Sequence, residues 1–564
     1  MAVPRPGCRP SLENGEPQAF KPAPGSTEVL DENDRLHEPV GHDQILPKSR
    51  FRVLRYAELS DIWPGRGTGL ECDLHPGSGD CGPPVKRRTV PGTGQDMTGN
   101  FGEEAVPTRR SEMKFKRATM TLVSASVVVL GGLAVLPAAA FASSPSSLWV
   151  NATGAVAPSA TTGTSCANPG FTTIQAALDA APANATVHVC SGTYAEQLSI
   201  ISPVSIVSAG SSITVELPAV PAVTTSACTP AIGDPVAQYQ DEITICTTGT
   251  VGIKGITVQA LWPTDTCNDG LYGIFVGGGA TLNMKDSEMD GAGAFPLNGC
   301  QGGVGIQVGR NLTTQVGHAS LNNVKVINYQ KGGITVDGPG STAKIIGSTV
   351  TGAGPSPIAQ NGIQISRGAK GTIKSTTVSG NECNYDAPTC GPDGLTAAQS
   401  AGVLLYGAAS GSSVTNSSID NNDLGVYAGA VTPNASTVSI THDVFGTIAL
   451  PANRYEAIQV DGATATVSHD SVRGGNVGLQ LLQYGGQPFG SVAVARDDTF
   501  NGLSVAAAQI DSDEAGAVGG DLSGSLSITK SKVSENPAPN GVLGSVQDDS
   551  PPTAAYVVTL KNDT

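Results

Sequence analysis

The chain has 564 residues, of which 14% are charged, 4% aromatic and 71 glycine, and its formal net charge is -16. So little charge excludes a coiled coil, the 39% hydrophobic content excludes wholesale disorder, and the acidic balance lacks the basic footprint of a nucleic-acid binder. The length allows three or four domains or one long solenoid.

Charge divides the chain unevenly. Residues 1–142 hold 17 Lys+Arg and 17 Asp+Glu, whereas residues 143–564 hold 15 and 31. At the join, Met113-Lys-Phe-Lys-Arg-Ala-Thr-Met120 is basic, Leu122 to Ala142 is apolar, and Ala140-Phe-Ala142 precedes Ser143. Basic, apolar and A-x-A segments in that order make a secretory signal peptide over 113–142. Such a peptide is N-terminal. Either translation begins at Met113, or the 21 residues Leu122–Ala142 form an internal membrane anchor. The first reading is favoured, with the aperiodic, Pro- and Gly-rich residues 1–112 disordered or never translated.

After a flexible segment over 143–164, Phe171-Thr-Thr-Ile-Gln-Ala-Ala-Leu-Asp-Ala-Ala181 reads as an amphipathic helix stopped by Pro182. Its apolar Ile174, Ala177, Leu178 and Ala181 share one face. Thr186–Val189, Leu198–Ile201 and Val204–Val207 read as strands, with Ser191-Gly-Thr-Tyr-Ala-Glu196 as a turn.

From about residue 250 a short unit repeats, for example Ile253-Lys-Gly-Ile-Thr-Val258, Ile373-Lys-Ser-Thr-Thr-Val378, Val467-Ser-His-Asp-Ser-Val472 and Ile528-Thr-Lys-Ser-Lys-Val533. Val494-Ala-Arg-Asp-Asp-Thr-Phe500 fits with one extra residue. Between these lies a second unit, seen in Gly305-Ile-Gln-Val308, Gly362-Ile-Gln-Ile365 and Gly478-Leu-Gln-Leu481. Both units alternate with period two and are too short for helices, so they are strands. Many short strands in fixed order with variable loops predict an all-β fold, a parallel β-helix over 165–540 capped by the helix. Residues 541–564 are a C-terminal tail or the last coil. A propeller would need four antiparallel strands per blade and a more constant period.

Residues 143–564 contain eight cysteines: Cys166, Cys190, Cys228, Cys246, Cys267, Cys300, Cys383 and Cys390. An even number in an exported segment implies disulfides. Sequential pairing is expected, because each neighbouring pair brackets one coil or loop. There is no C-x-x-C, and four histidines remain in this part, so no metal site is expected.

Thr173-Ile-Gln-Ala-Ala-Leu-Asp-Ala-Ala-Pro182 followed by Gly192-Thr-Tyr-Ala-Glu196 resembles the opening of proteins with the pectin-lyase-like right-handed β-helix. The later units resemble the repeats of secreted carbohydrate-binding and sugar-hydrolase β-helix proteins. The resemblance covers roughly residues 165–535 and implies the fold rather than a reaction. The polygalacturonase-like Gly-His-Gly is broken at Gly317-His318-Ala319. The methylesterase, pectate-lyase and epimerase motifs are absent too.

In a solenoid, equivalent positions of successive coils stack into columns. Aligning the first unit places Asn416, His442, His469, Arg496 and Lys530 in one column and Ser417, Asp443, Asp470, Asp497 and Ser531 in the next. The functional reading takes His442, His469, Asp443, Asp470 and Arg496 as an acid–base patch on a glycan-binding face. The competing reading is a solvated turn whose Asp, Ser and Asn side chains cap backbone groups. A second column runs through Gln307, Thr335, Gln364, Leu404, Tyr427, Gln459 and Gln480, with Arg310 and Arg367 nearby. These side chains should point outward, where amides both donate to and accept from sugar hydroxyls. Gln364, Arg367, Tyr427, Gln459 and Gln480 are therefore the candidate substrate-binding residues. In the 381–401 loop, Glu382, Asp386 and Asp393 offer oxygen ligands to Ca²⁺, but no D-x-D-x-D-G loop is present and a disulfide-pinned surface loop is favoured.

The expected function is a secreted protein that binds an extracellular polysaccharide and cleaves it, if at all, as a polysaccharide lyase or glycoside hydrolase. The alternative is a non-catalytic surface or matrix interaction protein. A copper-delivery β-helix is disfavoured by the few His and Met. The net charge of -16 repels polyuronates unless Ca²⁺ bridges them, which favours neutral glycans. The missing motifs favour binding over catalysis. No cofactor, no nucleic acid, no membrane anchor after signal removal and a monomer complete the expectation.

Overall fold

In the computed structural model of the protein, the described residues are 147–154, 162–224, 227–228, 238–262, 269–384, 390, 400–431, 436–446, 456–484, 490–504, 506–513, 524–534, 542–548, 556–561 and 563. The chain divides into Met1–Ser49 and Arg50–Thr564, and every described residue lies in the second unit. The signal-peptide segment 113–142 and residues 1–112 fall outside the described residues.

Apolar residues at every second position turn each short strand's one face inward, and three strands close a coil. One coil consists of Thr437–Thr441, Val444–Gly446 and Glu456–Asp461. The first and second strands of all coils belong to a 24-stranded sheet that bends between them, and the third strands form a 12-stranded sheet. Neighbouring coils pair in parallel, as in Ile440 opposite Val467, Phe445 opposite Val472 and Ile458 opposite Leu479. This is a right-handed parallel β-helix; the parallel register excludes a propeller. Twelve third strands at the usual strand spacing of about 4.8 Å span about 53 Å. The core is made of inward stacks such as Phe445, Val472 and Phe500, all at most 1% exposed.

Two positions in each coil are fixed by backbone geometry. At the bend between first and second strands one residue adopts the left-handed conformation, with φ of 53° at Asn323, 52° at Asn416, 61° at His442 and His469, and 59° at Asp497. Asn and Asp tolerate that conformation best among residues with a side chain. At the corner entering the third strand, coils approach so closely that Gly is needed. A Cβ on Gly362 would lie 2.6 Å from the carbonyl oxygen of Gly402 and 2.6 Å from Val378 Cγ1.

The N-terminal end carries the expected helix, α1 (Ile174–Ala180). Thr173 caps it by accepting from the Ala176 N–H, and the Glu196 carboxylate accepts from the N–H groups of Ile174 and Gln175 at 2.7 and 2.9 Å. Ile174, Ala177 and Leu178 are buried against the first coils. Cys166–Cys190, Cys228–Cys246 and Cys383–Cys390 are disulfide-bonded, as sequential pairing requires. Cys300 is also disulfide-bonded, and its expected partner Cys267 lies outside the described residues.

Candidate functional site

The bend column and the amide column occupy different parts of the coil. At the bend, His442 and His469 stack one coil apart, their rings 4.6 Å between centroids and 1° from parallel. Both are exposed. Arg496 is not in this column. It pairs with Ser468 on the first strand, and the extra residue of its coil moves Asp497 into the histidine column and Asp498 into the carboxylate column. Asp497 accepts from Arg496 Nε at 2.9 Å and lies 3.9 Å from His469 Nε2.

The carboxylate column is buried rather than solvated. Asp443, Asp470 and Asp498 are 1%, 2% and 1% exposed. Asp443 Oδ1 accepts from the Ser417 N–H, Asp470 Oδ1 from the Asp443 N–H, and Asp498 Oδ1 from the Asp470 N–H. The second oxygens of Asp443 and Asp470 accept from Thr441 and Ser468 in their own coils. The ladder continues through Ser531 Oγ, which accepts from the Asp498 N–H, to Asp563. Burial raises Asp443 to about 7, Asp470 to about 9 and Asp498 to about 6, against the opposing pull of the N–H groups. With their oxygens committed to backbone donors, Asp443 and Asp470 hold the bend together; they do not face a substrate.

The amide column is in register as the repeat requires. Gln307 lies opposite Thr335, Thr335 opposite Gln364, Gln364 opposite Leu404, Leu404 opposite Tyr427, Tyr427 opposite Gln459, and Gln459 opposite Gln480. It continues beyond the expected run to Gln509. The expectation of an open polar face is corrected: Gln307, Tyr427, Gln459 and Gln480 are at most 5% exposed, and Gln364 is half-buried. The side chains bind one another instead of bulk water. Gln459 Nε2 donates to Gln480 Oε1 at 2.8 Å and to Glu456 at 3.2 Å, and Gln364 Nε2 donates to Ser366 Oγ at 3.0 Å. Tyr427 donates its hydroxyl to Asp461 Oδ2 at 2.7 Å.

Arg367 stands past the strand end, at φ 52°, and its Nε reaches Asp337 Oδ1 at 2.9 Å. Asp337 also accepts from Ser366 Oγ and from the Asn311 N–H. Asp337 and Asp461 escaped the sequence analysis although the signal was present. Each stands two residues after a member of the amide column, Thr335 or Gln459, and period two puts it on the same face. Glu456, three residues before Gln459, carried no such mark.

Two acceptors on this face lack partners: Asn361 Oδ1 and Gln459 Oε1 are buried without a hydrogen bond. Among the described residues no three His, Cys, Asp or Glu side chains gather as a metal site. Of the loop acids considered for Ca²⁺, Glu382 is half-buried, and Asp386 and Asp393 lie outside the described residues.

The fold and these columns define a right-handed parallel β-helix protein. Residues 304–490 match the family described as right handed beta helix region. No curated protein matches the chain. Among solved structures, the chain is similar to a periplasmic alginate epimerase, at 12% identity over 67% of this chain and 77% of that one, with TM-score 0.39. It is also similar to the A-module of a mannuronan C-5 epimerase from Azotobacter vinelandii, at 14% identity over 69% and 94% of the chains, with TM-score 0.42. An alginate lyase from a Paenibacillus species is similar at 14% identity over 66% and 96%, with TM-score 0.32.

Proposed function

We propose that the protein binds an extended glycan at the outward side of the twelve-stranded sheet, with the half-buried Gln364 and Arg367 as its accessible contacts and the buried Tyr427, Gln459 and Gln480 behind them. The supporting observation is the pair of unmet buried acceptors, Asn361 Oδ1 and Gln459 Oε1. In the bend ladder the oxygens of Asp443 and Asp470 are all met by backbone N–H groups, although Asp498 Oδ2 is not. An amide acceptor without a donor is costly when buried, and a sugar hydroxyl supplies the missing proton. The neighbouring carboxyls of Asp337, Glu456 and Asp461 disfavour an anionic ligand on this face and favour a neutral one.

The Cys166–Cys190, Cys228–Cys246 and Cys383–Cys390 disulfides support a compartment outside the reducing cytosol, since such bonds persist in oxidising compartments. The test is a panel of neutral and acidic polysaccharides, with binding and released products measured for the protein and for Gln459→Leu with Gln480→Leu. Binding of a neutral glycan that the double variant loses by tenfold or more, at unchanged melting temperature, supports the proposal. Unchanged binding removes it. Released products would make the function catalytic, and their absence a binding module.

A further inference from the structure

The first strands of the later coils present a different surface. Ser412–Thr415, Thr437–Thr441, Thr464–Ser468, Val492–Arg496 and Gly524–Thr529 follow one another in parallel. In the two central coils, Thr437, Ser439 and Thr441 lie directly opposite Thr464, Thr466 and Ser468, with no shift of register. Period two turns these six side chains outward, and all are exposed or half-exposed. Ser413 and Thr415 extend the array on one side, Val492, Val494 and then Ser525 and Ser527 on the other. Arg496 is the one charged side chain on these five strands. Among the described residues, none of the six central hydroxyls binds a protein group. The result is a two-dimensional array of free hydroxyls, three residues wide and five coils long.

Strand geometry sets the two repeats of this array, about 4.8 Å from coil to coil and about 6.6 Å from one outward residue to the next. Water joined tetrahedrally by O–H···O bonds of about 2.75 Å repeats at about 4.5 Å along one crystal axis of ice and about 7.3 Å along another. The differences, about 0.3 Å per coil and about 0.7 Å per outward step, are within reach of a hydroxyl that turns about its Cα–Cβ bond. Each hydroxyl both donates and accepts, so it can stand in the place of a lattice water. The threonine methyls, and Val494 at 42% exposed, leave the waters between the hydroxyls to bond to one another. Charged groups would hold those waters in other orientations, and Arg496 at the array's corner is the single instance.

We propose that this face, from Ser413 to Ser527, binds the surface of ice. The ligand is water in a fixed lattice, held by many weak contacts made at once over about 13 Å by about 19 Å. The hydroxyls order the first layer of water into lattice positions, and that layer joins the crystal. Ice must then grow around the bound protein as a curved front, which lowers the freezing temperature and leaves the melting temperature almost unchanged. A dissolved sugar chain has no fixed two-dimensional repeat, so the regular array gives it no advantage. The face belongs to the 24-stranded sheet, and the proposal does not rest on the amide column.

The experiment measures the gap between freezing and melting of a single ice crystal in a solution of the protein, and the share of protein taken into a slowly growing ball of ice. Serum albumin is the comparison protein. Thr466→Lys puts a charge at the centre of the array, Thr466→Ser keeps the hydroxyl, and Gln459→Leu with Gln480→Leu alters the other sheet. A freezing gap with faceted crystals, and enrichment in ice tenfold or more above albumin, support the proposal if both fall tenfold or more in Thr466→Lys at unchanged unfolding temperature. Thr466→Ser and the glutamine variant should keep both. Thr437→Lys, at an exposed position of the neighbouring coil, is read in the same way should Thr466→Lys unfold early. No freezing gap with enrichment equal to albumin's overturns the proposal, as does activity that survives both lysine variants.

Discussion

Asp470 and Glu242 are both acids buried in the same helical stack, and they live in opposite circumstances. Asp470 sits at the bend, where one oxygen accepts from the Asp443 N–H of the preceding coil and the other from Ser468. Glu242 sits at the corner. Tyr272 lies opposite Asp241 and Ile274 opposite Ile243, so Glu242 faces Gly273, and the next coils place Gly305, Gly333 and Gly362 at the same site. Neither of its oxygens has a partner, and it is fully buried. Burial, and then the charges of Glu196 and Glu216, push it up to about 9. A buried carboxyl therefore strengthens this fold only where the coil turns its own N–H groups toward it. The bend does so for Asp443, Asp470 and Asp498; the corner does not do so for Glu242.

The sharpest way to break the comparison is to fill the corner. Gly362→Val puts side-chain atoms against the Gly402 carbonyl, Val378 and the amide of Asn381, which a Cβ alone would meet at 2.6, 2.6 and 2.9 Å. The expected cost is about 3 kcal/mol or more, read from the urea midpoint. A loss below about 1 kcal/mol would mean that the corner relaxes easily and is not a packing constraint.

Removing a rung comes next. Asp470→Ala leaves the Asp443 and Ser468 N–H groups buried without acceptors, at about 2–4 kcal/mol. Asp470→Asn keeps one acceptor and should cost less. The ladder also predicts a pH dependence. The folded values of Asp443, Asp470 and Asp498, about 7, 9 and 6, lie above the unfolded carboxyl value near 3.8. The folded state thus holds more protons than the unfolded state, and stability falls as pH rises from about 4 through about 9. Urea midpoints across that range should flatten in Asp470→Asn. A stability that instead rises with pH would show that the N–H groups keep these carboxylates ionised.

Glu242 gives the opposite sign for the same kind of substitution. Glu242→Ala should stabilise by about 1–3 kcal/mol at pH 8, where the unfolded glutamate is ionised and the folded one is forced to keep its proton. Below about pH 4.5 both states are protonated, and the gain should vanish. Melting temperatures at pH 4.5 and pH 8 check this. A destabilised variant at pH 8 would mean that Glu242 has a role in holding the first coils.

The repeat made the coils legible. Period-two alternation located the strands, and the recurring small polar residue located the bend. The columns followed wherever the unit had constant length, which is why His442, His469, Asp443 and Asp470 stack as aligned. At Val494–Phe500 the extra residue left the alignment ambiguous by one, and only strand pairing decides that Asp498 rather than Asp497 continues the ladder. Exposure was less legible than register. Alternation says that Gln459 points away from the core, but not that it is buried there, because burial depends on what lies over the sheet.

The smallest effect is expected where the sequence drew most attention. His442 and His469 are exposed, stack on each other, and occupy the left-handed position at φ 61°. Replacing both with Asn loses one ring contact worth about 0.5–1.5 kcal/mol at most, and exposure reduces it. It gains the residue type best suited to that backbone conformation, as at Asn416 and Asn323. The two terms oppose each other, so the net change should stay within about 0.5 kcal/mol. Glycan binding at the amide column should be unaffected, since the bend lies in another part of the coil. A double variant that keeps its melting temperature but loses binding or turnover would return the histidines to the functional site and move the proposed glycan face to the bend.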